Sequence, residues 1–176
     1  MKRLAYTILF IASLTTMTCS NGYIRQVTNN MAPTIKIDDL VWADTDYYKR
    51  APIARGDIVM ISAADPKMTA ADGPGAKYLY RVIGIGGDRI QVREGRVYVN
   101  ENLLGGAFAS GKYETNKPIK DFGPIVVPPE QYFLIGDNLP DSYDSRQWSQ
   151  PTIKKELVYG KVTEVRDAKT GETRAL

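Results

Sequence analysis

From residue 22 onward, short runs of β-branched and aromatic residues alternate with turn-forming dipeptides, and this alternation restricts the chain to a mainly β fold. Residues 40–42, 57–61, 78–83, 125–127, 132–135 and 157–165 each read as a strand. Residues 89–92 and 96–99 flank Glu94-Gly95 and read as a hairpin with alternating faces. Gly86-Gly87-Asp88 and Gly136-Asp137-Asn138 supply turn chemistry. Stretches 63–76 and 104–124, rich in Gly, Ala, Pro and Lys, read as surface loops. With 176 residues there is room for one domain with a proper core, here 22–176. So many short strands predict a curved or barrel-like sheet.

The N-terminal segment, 1–21, differs in kind. Lys2 and Arg3 precede an apolar stretch, residues 4–19, which has the pattern of an export signal and is expected to form an apolar helix. It is shorter than the roughly 20 residues that comfortably span a bilayer. Four fates are compatible with it: a cleaved signal, a retained anchor, a lipoprotein signal ending at Cys19, and a buried N-terminal helix. Keeping Lys2 and Arg3 on the cytoplasmic side would place the body on the extracytoplasmic, periplasmic face of the inner membrane.

Formal net charge is +3, of which Lys2 and Arg3 supply two, so the body lacks the clustered basic surface that nucleic-acid binding needs. The sequence contains no histidine, which excludes Ser-His and Cys-His hydrolase chemistry and imidazole-based zinc sites. The single cysteine can form no internal disulfide and no metal cage by itself. Neither a metal nor another cofactor is expected.

Four segments carry further information. They are Asn30-Met31-Ala32-Pro33-Thr34, Arg55-Gly56-Asp57-Ile58-Val59, Tyr80 to Asp88 (Tyr-Arg-Val-Ile-Gly-Ile-Gly-Gly-Asp), and Gly136-Asp137-Asn138 followed by Ser142-Tyr143-Asp144-Ser145-Arg146. In order and spacing they resemble the type I signal peptidases, membrane-bound serine endopeptidases that use a Ser-Lys dyad. The resemblance covers roughly residues 24–165, and the N-terminal apolar segment also fits it. It implies that position 30 is the nucleophile's and position 80 the general base's. It further implies that Thr28 is an oxyanion-hole hydroxyl, that Ser142 orients the base, and that Asp144 and Arg146 form a structural ion pair.

Here the two dyad positions hold Asn30 and Tyr80. A dyad needs a hydroxyl activated by a neutral amine. The nitrogen lone pair of an amide is delocalised and does not attack a peptide bond. A phenol has an unperturbed pKa of about 10, which burial raises further, so it donates a proton rather than accepting one. Lys77 is expected on the strand face opposite Tyr80, and Lys36 in solvent, so neither replaces the base. Met31, Ile35 and Trp148 read equally as a lipid-touching rim or as core. The expectation is a non-catalytic homologue that binds an extended peptide or signal-bearing preprotein near a lipid surface and assists secretion or surface-appendage assembly. The alternatives are an active signal-peptide or pilin-processing endopeptidase with rearranged chemistry, and an exported structural lipoprotein.

Overall fold

The computed structural model describes residues 22–72, 75–105 and 117–176. In chain order the elements are β1 (Ile24–Arg25), β2 (Leu40–Asp44), α1 (Tyr47–Arg50), β3 (Ile58–Ser62), α2 (Pro66–Asp72), β4 (Lys77–Ile85), β5 (Arg89–Arg93) and β6 (Arg96–Val99). They continue with β7 (Asn102–Leu103), β8 (Phe122–Val126), β9 (Gln131–Ile135), β10 (Ile153–Lys154), β11 (Val158–Arg166) and β12 (Thr173–Ala175).

The main sheet has the order β1-β2-β11-β3-β4-β9-β10, with β12 beside β11, and a second sheet has the order β7-β6-β5-β8. Central strand β3 is covered on both faces, which is why its sequence is apolar without alternation. Val59 and Ile61 join Tyr80, Val82, Leu134 and Trp148 on one face. Ile58 and Met60 join Met31, Ile35 and Leu79 on the other. In the second sheet Ile90, Val92, Val97 and Val99 pack on Phe133 and Ile135 and form a third cluster. The β5–β6 turn places Glu94 at φ 50° and Gly95 at φ 70°, the pair of positive angles that a tight hairpin with matching strand twist requires.

The fold is mainly β, but the barrel-like expectation is wrong. Neither sheet closes or curls strongly. The path of the main sheet ends at β1 and β10, strands of two residues each, which pair only with their inner neighbours. Strands this short cannot extend a ladder towards one another, and the β5–β8 strands form a ladder of their own. The stretch read as the first loop contains α2. The expected N-terminal helix, its membrane role and Cys19 lie outside the described residues. Among the described residues no helix is long and apolar enough to cross a membrane. Met31, Ile35 and Trp148 are core, at 0%, 0% and 5% exposure, and not a lipid-touching rim.

Candidate functional site

Charged and amide contacts join the four sequence segments. Arg55 places Nη2 2.7 Å from both oxygens of Asp88. Arg81 donates from Nε and Nη2 to the two Asp137 oxygens, at 2.7 and 2.6 Å, and from Nη1 to the Gly56 carbonyl. Asn138 N–H donates to the Asn30 carbonyl at 2.9 Å. Gly136 has no room for a side chain. A Cβ there would lie 2.4 Å from both Asn30 O and Ser142 Oγ, so the Gly-Asp-Asn turn presses position 30 and Ser142 together. Asp144 is wholly buried and takes a two-pronged bond from Arg146 Nε and Nη2, each at 2.8 Å. Arg146 also donates to the Leu139 carbonyl, which fixes the 139–146 loop.

Asn30 is 7% exposed and is engaged at both its side-chain oxygen and its nitrogen. Its Oδ1 accepts from Thr28 Oγ1 at 2.7 Å and from Gln26 Nε2 at 2.8 Å, and its Nδ2 donates to the Leu79 carbonyl at 2.7 Å. The Thr28 hydroxyl is thus committed to Asn30. Tyr80 packs edge-on against Trp148, with ring centroids 5.3 Å apart, and donates its hydroxyl to the Tyr143 carbonyl at 2.7 Å. Burial, helped by the nearby Asp144 carboxylate, pushes the phenol well above its ordinary pKa. Position 80 therefore offers a hydrogen-bond donor. Lys77 donates to Ser62 Oγ at 3.1 Å and sits 4.3 Å above the Tyr159 ring, so in both contacts it serves as donor or cation. Lys36 is exposed. The described residues include no cluster of His, Cys, Asp or Glu that could hold a metal.

Ser142 Oγ is buried and has no hydrogen-bond partner among the described residues. The tyrosine hydroxyl at position 80 bonds instead to the carbonyl of the next residue, Tyr143. An unsatisfied buried hydroxyl costs about 1–3 kcal/mol. Ser142→Ala should therefore raise the unfolding free energy by about 1 kcal/mol in urea titrations. A loss of similar size would show that the hydroxyl is bonded after all.

Beside these residues lies a mostly apolar cleft of about 490 Å³. Ile24 to Thr28 form one wall and Lys77 to Tyr80 the other, with Met60, Met68 and Ala71 between them. Both walls expose strand edges. Strand β4 pairs with β9 only from Arg81 onward. Val82 points its main-chain N–H and C=O at Asp57 and Gly56 on the β3 side. Alternation along the unbroken β3–β4 register then turns Lys77 and Leu79 the other way, into the cleft. On the opposite wall Gln26 bonds to Asp38 and Asp39 on the β2 side, which turns the main-chain groups of Arg25 and Val27 away from β2. Sequence reasoning missed Gln26, Met60, Met68 and these edges. A lone Gln between strands carries no periodic signal, and an unpaired edge exists only once the pairing is known.

A family model described as "Signal peptidase, peptidase S26" matches residues 1–165. The chain is 31% identical over 147 residues to the "Probable signal peptidase I-2" of Synechocystis sp., covering 84% of this chain and 63% of that protein. It is 27% identical over 147 residues to the "Signal peptidase I" of Leptolyngbya laminosa, covering 84% of this chain and 69% of that one. The crystal structure of a signal peptidase I from Enterococcus faecalis V583 superposes with a TM-score of 0.48 at 27% identity, over 64% of this chain and 98% of that one. The chain thus spans less than two thirds of the length of its Synechocystis relative.

Proposed function

This chain belongs to the signal peptidase family, peptidase S26, and we propose that it is a non-catalytic member that binds an extended peptide without cutting it. One observation carries the reading. The peptide-sized cleft is open, while the two positions that family resemblance makes reactive hold an engaged amide, Asn30, and a buried phenol, Tyr80. A strand laid in the cleft along the Lys77–Leu79 edge would gain main-chain bonds from β4, the mode known as β-augmentation. Apolar side chains on it would meet Met60 and Leu79. In this reading the ligand is a signal-bearing or otherwise extended preprotein segment, and the protein assists secretion or surface assembly at the extracytoplasmic membrane face.

Incubated in detergent or lipid with a signal-bearing preprotein, the protein should retain the preprotein uncut and compete for a labelled extended peptide. Cleavage above the level of a Thr28→Ala, Ser142→Ala variant would overturn the reading in favour of an active endopeptidase.

A further inference from the structure

The Asn30 side chain is placed between the two open strand edges at the inner end of the cleft. Its Nδ2 donates to the Leu79 carbonyl, a main-chain acceptor that faces away from β3 and that β9 does not reach. Its Oδ1 is held from the other wall by Gln26 Nε2 and Thr28 Oγ1. Gln26 Nε2 also donates to the Thr28 carbonyl at 2.9 Å. A carboxamide has the same planar donor–acceptor unit as a peptide bond. In this setting it makes the N–H···O=C bond that the amide of an inserted strand would make to Leu79.

From this geometry we infer that Asn30, clasped by Gln26 and Thr28, is a built-in substitute for one rung of bound peptide and closes the cleft at Leu79. The inference rests on the peptide-binding reading above and adds its register. The clasp leaves the main-chain groups of Lys77 on one wall and of Arg25 and Val27 on the other. A ligand is therefore a short extended apolar segment that pairs outward from Lys77 and does not run past position 30. The residue that replaces a nucleophile would thus decide how far a peptide can enter.

The test is binding of a fluorescently labelled peptide of alternating leucine and threonine, measured by anisotropy on the wild-type protein and on Asn30→Ala and Asn30→Ser. Asn30→Ala removes the competing donor. Asn30→Ser shortens the side chain so that it no longer reaches the Leu79 carbonyl but keeps a hydroxyl for Gln26 and Thr28, so it serves if the alanine variant folds poorly. With the carbonyl released, both variants should bind about three- to tenfold more tightly than the wild type, the worth of one hydrogen bond. The gain should disappear with a peptide N-methylated at the amide that meets Leu79. Equal or weaker binding by the variants, with the wild type still binding, overturns the inference and leaves the peptide-binding reading standing. No binding by any of the three overturns both.

Discussion

Replacing Arg146 with alanine is expected to lower the unfolding free energy by about 3–5 kcal/mol, the usual cost of stranding one member of a buried ion pair. Its side chain is 5% exposed and that of Asp144 is 0% exposed, so the freed carboxylate is left far from bulk solvent. The Leu139 carbonyl loses its guanidinium donor as well. Against a total stability of about 5–15 kcal/mol, that loss is large. Removing both charges together, as Asp144→Leu with Arg146→Met, should cost less than either single change, because no charge is left buried. The exposed pair Arg25–Asp38, at 55% and 59% side-chain exposure, provides the contrast, and Arg25→Ala should cost less than about 1 kcal/mol. Urea unfolding followed by tryptophan fluorescence measures all three. A cost below about 1 kcal/mol for Arg146→Ala would mean that the loop is held by other contacts.

The long strands were legible because their own residues specify them. The run from Tyr78 to Ile83 lies within β4, and the 89–99 hairpin has its turn at Glu94-Gly95. Strands β1, β7 and β10 have two residues each, too few to show any period, and they exist because a neighbour offers an edge. Closure of the sheet was not legible for the same reason. Whether edges meet depends on what β1 and β10 pair with, which no local pattern encodes. Helix α2 left a fainter sign in its opening Pro66 and its alanines, hidden by the Gly and Pro that follow.

At the candidate site the sequence supplies the residue types. An amide at position 30 and a phenol at position 80 limit the chemistry before any coordinates are known. The partners of those groups were not legible. The bond from Asn30 to Leu79 spans 49 residues of sequence, and the bond from Tyr80 to the Tyr143 carbonyl spans 63. Backbone carbonyls are present at every position, so sequence cannot single one out as an acceptor.

The combined substitution Asn30→Ser with Tyr80→Lys should produce cleavage of a signal-bearing preprotein at least about 10²-fold above either single variant, the lower end of what a positioned general base contributes. The surroundings of Tyr80 suit such a lysine. Val59, Val82, Leu134 and Trp148 form an apolar environment that would disfavour an ammonium and so lower its pKa, as a general base requires, against the smaller opposing pull of the nearby Asp144 carboxylate, which is itself paired with Arg146. Ser142 Oγ, lacking a partner among the described residues, is an acceptor available to orient the new amine. A serine at position 30 would stay beside Thr28, whose hydroxyl is then released from the Asn30 carboxamide. Each single change supplies a nucleophile without a base or a base without a nucleophile, and members of such a unit act together, so each alone should stay at background. The lysine variant also gives up the Tyr80 hydroxyl's bond to the Tyr143 carbonyl and its contact with Trp148, so its folding must be confirmed by thermal unfolding before turnover is compared. Turnover by one single variant would show that positions 30 and 80 do not form the dyad. Background rates in a folded double variant would show that the scaffold has lost more than two side chains.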